Sequence, residues 1–174
     1  MYQTTIPRYL NYDLYLFVRN AFKDIKTKDD HNYFDHCMSV INFAINLADD
    51  YPTYNINLAK LAALALCHDV IEDLSEEVSY DLKVMLYYIF KTNEIYDELD
   101  NYLTYRKQTQ SRDAYISNIA NSNNIYVKLV KMADLIHNSL ISRSKDNPPN
   151  LEKDISRITK YSKEFNLIKL SFSL

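Results

Sequence analysis

Four residues near the middle of the chain, His68, Asp69, Glu72 and Asp73, set an imidazole and three carboxylates within six positions. They close the stretch LAKLAALALCHDVIED, whose first part, Leu58 to Leu66, is apolar except for Lys60. A helix that is apolar on all sides belongs inside a protein. Read as one helix, the stretch stacks His68 over Glu72 and Asp69 over Asp73 at the four-residue spacing of neighbouring turns. Two carboxylates ~4 Å apart repel by about 1 kcal/mol in bulk water and by more inside a protein. They also sit poorly at a helix C-terminus, where the dipole favours cations. A solvated acidic helix end is the plain alternative. A divalent cation is the more economical answer.

Two further apolar helices carry ionisable groups. His36 lies in YFDHCMSV, and Asp134, His137 and Asn138 lie in KMADLIHN. Ionisable groups in a core are costly unless paired or bound to metal. His36, His68, Asp69 and Asp134 form a mixed nitrogen and oxygen set suited to Mn²⁺, Fe²⁺, Co²⁺ or Zn²⁺. His137 reads as packing or as support for a ligand. Cys37 and Cys67 each neighbour a candidate histidine, so a Cys₂His₂ zinc site is the competing arrangement. Adjacent helical residues point about 100° apart, and that arrangement would strand Asp69 and Asp134.

The elements that must position these groups are helical throughout. Apolar periodicity predicts helices over Leu10 to Lys26, Tyr33 to Asp50, Ile56 to Leu74, Tyr80 to Phe90 and Glu94 to Arg106. Others follow over Asp113 to Ala120, Ile125 to Ser142 and Leu151 to Phe165. Ser75 is a candidate cap for the fourth, with Glu76 to Val78 as its first turn. Met85, Ile89, Tyr102, Ile155, Ile158 and Tyr161 are expected to face inward. Lys107 to Arg112 and the Pro148–Pro149 segment read as loops, and Asn166 to Leu174 as an apolar strap or a disordered tail. No strand pair, internal repeat or low-complexity segment stands out. The expected architecture is a single-domain, all-α helical bundle.

Composition narrows the function. The chain has 174 residues, a net charge of −3 and no glycine. Phosphate-cradling P-loops and dinucleotide fingerprints both need glycine, so phosphate chemistry here falls to metal and side chains. Absent glycine also leaves asparagine to supply left-handed helix caps. The near-balanced charge advertises neither nucleic acid nor an anionic membrane as a partner. No apolar run of about 18 residues or signal-peptide layout appears, and the two cysteines fit a reducing compartment. The expectation is a cytoplasmic protein.

The order His, His-Asp, distant Asp resembles the HD superfamily of metal-dependent phosphohydrolases. HDVIED resembles the HDxxED motif of the SpoT/RelA hydrolase domain and of the small Mesh1-like alarmone hydrolases. KLVKMADLIHN resembles their KLxKLADxxxN segment, about 65 residues further on, and YFDHCMSV their YxxHPxxV, with Cys37 at the proline. The likeness spans about residues 12–165.

The resemblance implies that His36, His68, Asp69 and Asp134 hold one Mn²⁺ and that Glu72 and Asp73 position and activate water. It implies substrate contacts from Asn138, Arg157 and Tyr161. Lys26 and Lys28 take the place of an Arg-Lys pair near the base, and Lys107 or Arg112 that of a phosphate-facing cation. The implied reaction is removal of the 3′-pyrophosphate from a guanosine or adenosine alarmone, a small-molecule nucleotide. The family's Gly-x-Pro loop before the first ligand is replaced by the shorter DDHN, at the base pocket. An HD phosphomonoesterase, a cyclic-nucleotide phosphodiesterase and a silent nucleotide-binding protein are the rival readings.

Overall fold

The structure, a computed structural model, describes residues 7–27, 31–140 and 150–172. Helices account for its architecture: α1 (Tyr12–Ala21), α2 (Tyr33–Ala48), α3 (Leu58–Cys67), α4 (Val70–Asp73), α5 (Glu76–Phe90), α6 (Glu94–Glu98), α7 (Arg112–Asn121), α8 (Ile125–Ser139) and α9 (Leu151–Leu170). Among the described residues, extended pairing is limited to one isolated bridge between Lys26 and Asn32. The fold is therefore all-α, as the periodicity requires.

The centre is α3, in which every residue from Leu61 to Cys67 is buried. It packs on α2, which packs in turn on α8, and α8 carries α9 on its other side. Val40, Ile41 and Ala44 of α2 meet this core with Val127, Leu129, Val130 and Ala133 of α8. Burying each of these Val, Ile and Leu side chains contributes about 1.5–3 kcal/mol. Lys60, the one polar interruption early in α3, lies where that helix reaches the surface. Its ammonium binds Glu94 at 2.7 Å and Glu98 at 2.9 Å, fastening α6 to α3.

Asparagine is used mainly at helix starts. Asn11, Asn32, Asn57, Asn124 and Asn150 each accept a backbone N–H of the following first turn. Ser75 and Ser111 do the same for α5 and α7. Left-handed backbone among the described residues falls to Asn55 and to Lys91, the latter closing α5. Asparagine thus supplies one of these two positions, and a lysine the other.

Several elements depart from the periodic reading. The expected helix from Ile56 to Leu74 is broken: α3 stops at Cys67, and His68–Asp69 form a turn before α4, with Asp69 at φ −104° and ψ −2°. The break takes the acids off the C-terminus of a long helix, where the dipole opposes them. The Glu94-to-Arg106 helix ends early in a π-turn over Leu99–Leu103, because the Leu99 carbonyl accepts both the Thr104 amide (2.9 Å) and its hydroxyl (3.0 Å). Residues 104–111 are thereby released as a loop.

Helix α1 ends at Ala21, so Lys23 and Lys26 lie beyond it rather than in its last turn. Helix α7 begins at Arg112, which the sequence reading had put in the loop. Helix α9 runs past Phe165 to Leu170, anchored by the fully buried Ile168, so the segment after Asn166 is largely helical. Ile155 is 55% exposed because Asp154, paired with Arg157, takes the inward position. Tyr102 also faces solvent, and Met85, Ile89, Ile158 and Tyr161 are half-buried. The expected Pro148–Pro149 loop and the end of the helix at Ser142 lie outside the described residues.

Candidate metal centre

Three helices bring their ionisable residues to one point. His36 lies on α2 one turn from its start, His68 at the end of α3, Asp69 in the turn that follows, and Asp134 within α8. His36 Nε2 is 3.2 Å from His68 Nε2 and 3.3 Å from Asp69 Oδ2, while His68 Nε2 is 3.0 Å from the same oxygen. Asp134 Oδ1 completes the group at 3.5 Å from His36 Nε2 and 3.8 Å from His68 Nε2.

The separations among His36, His68 and Asp69 are those of atoms that could share one ion, and Asp134 stands a little farther out. At metal–ligand distances of about 2.1 Å, ligands at right angles lie about 3.0 Å apart and tetrahedral ligands about 3.4 Å apart. The imidazoles are set for the task. His68 Nδ1–H donates to the Ala65 carbonyl at 2.8 Å, which turns Nε2 toward the cluster as the nitrogen able to take a proton or a cation. His36 Nδ1 is 2.7 Å from His137 Nδ1; with His36 as donor and His137 as acceptor, His36 Nε2 is bare. The donor set fits a divalent cation.

Electrostatics agree with geometry. Burial works to lower the His68 pKa, but the Asp69 and Asp134 carboxylates outweigh it and carry it up to about 10. Burial works to raise Asp69, and the His68 and His36 imidazoles hold it well below the usual carboxylate range. The cluster pulls in positive charge, which a proton or a divalent ion can answer.

Asp134 has a second cation that the sequence reading missed. Lys131, buried in α8, sets its ammonium 2.6 Å from Asp134 Oδ2, the oxygen turned away from the imidazoles. Burial opposes the ammonium, but Asp134 holds its pKa above the ordinary lysine value. Asn138 Nδ2 donates to Oδ1 at 2.5 Å. The signal was a lysine three residues before an aspartate in the buried middle of α8.

Tyr33 was also missed. It opens α2, its ring stacks on Phe22 at 4.8 Å, and its hydroxyl lies 2.7 Å from Asp69 Oδ2 and 2.5 Å from Asp73 Oδ2. Burial first, and then the Asp69 charge, keep the phenol protonated. Asp73 itself is raised from its usual value by partial burial, which outweighs the Tyr33 hydrogen bond with help from Asp69 and Glu72.

The break between α3 and α4 separates His68 from Glu72, which a continuous helix would have stacked. Glu72 turns toward the loop after the π-turn, where Oε2 accepts the Tyr105 N–H at 3.1 Å and Oε1 meets Lys107 Nζ at 3.1 Å. Asp69 and Asp73 stay one turn apart, the Asp73 amide bonding the Asp69 carbonyl at 2.9 Å.

A cavity of about 420 Å³ is lined by His36, Asp69, Glu72, Asp73, Asp134 and Asn138 together with Lys26, Tyr161, Lys107, Arg112 and Lys131. Arg112 is held there by a bidentate pair with Glu164, at 3.1 and 2.7 Å, between the rings of Tyr105 and Tyr115. Arg157 is not among the lining residues. Its guanidinium donates to the Asn138 and Leu140 carbonyls and pairs with Asp154 at 3.0 Å, closing the C-terminal end of α8. Lys28 lies outside the described residues.

The HD domain family model matches residues 33–139, which run from Tyr33 at the start of α2 to Ser139 at the end of α8. The chain belongs to the HD domain family. An HD domain of this kind marks a metal-dependent phosphohydrolase, and the converging His36, His68 and Asp69 within it form a group that could hold a metal ion. Compared with individually curated proteins, the chain has no match. No helix of the HD chain, among the described residues, is long and apolar enough to cross a membrane.

Proposed function

We propose that this HD protein is a Mn²⁺-dependent 3′-pyrophosphohydrolase of the SpoT and Mesh1-like type, acting on a purine alarmone. The observation that carries the reading is the make-up of the cavity at the metal centre. A cation-receptive His and Asp cluster and two further carboxylates share it with four basic side chains, Lys26, Lys107, Arg112 and Lys131. A substrate rich in phosphate satisfies both sets at once. The HDxxED and KLxKLAD-like segments direct the reading to the 3′-pyrophosphate.

His36, His68, Asp69 and Asp134 are the proposed ligands. A bound Mn²⁺ supplies Lewis-acid polarisation of phosphoryl oxygen and makes water a better nucleophile. Asp73, held by Tyr33, and Glu72, held by Tyr105, orient the attacking water and take its proton. Lys107 and Arg112 face the phosphates, Asn138 stays beside Asp134, and Tyr161 and Lys26 form the wall toward the nucleoside. Arg157 serves the site by fixing the end of α8.

The test is incubation with Mn²⁺ and a panel of guanosine and adenosine alarmones, NADPH, a nucleoside monophosphate and a cyclic nucleotide. Release of pyrophosphate from an alarmone, lost in Glu72→Gln/Asp73→Asn, is the expected result. Orthophosphate or a ring-opened monophosphate as the product would assign the rival chemistries. Tight alarmone binding without turnover would make the protein a nucleotide-sequestering one.

A further inference from the structure

A second cleft, of about 790 Å³, lies on the other side of Glu72 and Lys107, and both residues line it as well as the metal cavity. Its floor is the face of α5 that presents Glu76, Tyr80 and Lys83 at helical spacing; Tyr96 of α6 and residues 104–109 of the released loop make its walls. Glu72 and Lys107, which the cavities share, form an ion pair at 3.1 Å. Lys107 is 70% exposed, and an exposed pair of this kind is worth only about 0–1 kcal/mol. Glu72 keeps its place without it, through the Tyr105 amide.

The cations of the second cleft outnumber its acids. Lys83, Arg106 and Lys107 line it against Glu72 and Glu76. Arg106 is taken by Asp100, at 2.7 and 2.5 Å. Lys83 sits 5.2 Å from the centre of the Tyr96 ring and has no carboxylate within ion-pair distance among the described residues. A lysine over an aromatic ring, facing a cleft that shares a wall with a phosphate-type reaction site, is suited to an anion.

We infer that the second cleft takes the distal, 5′-diphosphate end of a nucleotide whose 3′ end reacts in the metal cavity. Lys83 binds that end, and Lys107, lying between the cavities, serves both ends. The inference rests on the nucleotide reading of the proposed function, and it selects substrates phosphorylated at both ends over those phosphorylated at one.

The test has a binding arm and a turnover arm. In the first, guanosine 5′-diphosphate is titrated by calorimetry in the presence of EDTA, which keeps the diphosphate from binding through metal. Wild type is compared with Lys83→Glu, with Tyr96→Ala, and with Lys169→Glu, the same charge change on α9. Affinity lower by tenfold or more in Lys83→Glu, with a smaller loss in Tyr96→Ala and none in Lys169→Glu, is expected. No binding by wild type, or equal binding by wild type and Lys83→Glu, overturns the inference.

In the second arm, guanosine 3′,5′-bis(diphosphate) and guanosine 3′-diphosphate are compared as substrates. The expected ratio of their KM values is at least tenfold in favour of the doubly substituted nucleotide, and it collapses in Lys83→Glu. A wild-type ratio near one, or one that Lys83→Glu leaves in place, overturns the second cleft while hydrolysis stands. If both substrates resist hydrolysis but the binding arm succeeds, the cleft stands and the hydrolase reading falls.

Discussion

Removing the acceptor that fixes His36 should weaken the metal centre without touching a ligand. His137 Nδ1 lies 2.7 Å from His36 Nδ1 and, in the tautomer with His36 as donor, holds this candidate ligand with Nε2 bare. In His137→Phe that acceptor is gone, and His36 is free to turn or to place its proton on Nε2, facing the cation. Losing an outer partner of this type costs about 10–100-fold in metal affinity, or roughly 1.4–2.7 kcal/mol. The His137 ring is half-buried and packs 6.3 Å from Phe43, so phenylalanine preserves most of the packing. His137→Asn, whose side-chain oxygen can accept the same proton, should recover part of the loss. Calorimetric titration with Mn²⁺ reads the affinity, and thermal unfolding in EDTA reads the fold. A His137→Phe variant that folds normally and binds Mn²⁺ as tightly as wild type would refute the reasoning.

Three further outcomes follow from the same geometry. Lys131→Met leaves Asp134 buried with one oxygen unanswered; breaking a buried pair costs about 3–5 kcal/mol, so chemical denaturation in EDTA should show a loss of that size. Added Mn²⁺ should restore part of it, and equal stability of the two proteins would contradict the pairing. Arg157→Ala removes the donors to the Asn138 and Leu140 carbonyls and the Asp154 partner, and should lower stability by about 1.5–3 kcal/mol. A change in substrate KM with unchanged melting temperature would instead place Arg157 at the substrate.

The third concerns pH. The His68 pKa is raised from 6.5 to about 10, so the stability this group contributes without metal is complete below pH 6.5 and is lost as pH rises through 10. A cation must displace that proton, so apparent Mn²⁺ affinity should climb with pH by up to about tenfold per unit across the same window. Calorimetry in buffers of different ionisation enthalpy measures the proton released. Affinity independent of pH would exclude the displacement.

Much of this is legible in the sequence. Spacing of apolar residues pointed to the helices: α1 and α2 bury one face at the helical period, and α3 and the middle of α8 are largely apolar runs buried all round. The residues at the metal centre stood out as ionisable groups on those faces. Their partners were harder to see. The pairing of Tyr33 with Asp69 and Asp73, and of His137 with His36, joins positions 36, 40 and 101 apart in sequence, and no local pattern encodes it. The break at His68–Asp69 was hidden as well, since the apolar run leads straight into it and neither residue is glycine or proline. Arg157 differs: the resemblance implied a substrate contact, and the structure shows its guanidinium on the carbonyls that close a helix end.

The most direct test of the central claim is the number of cations the chain holds and which side chains hold them. Mn²⁺ added to chelator-treated protein and followed by electron paramagnetic resonance counts bound against free ion. One bound Mn²⁺ per chain in wild type, with binding weakened at least a hundredfold in His68→Ala and again in Asp134→Ala, is the predicted result. No stoichiometric binding in wild type, or undiminished binding in both variants, would contradict it.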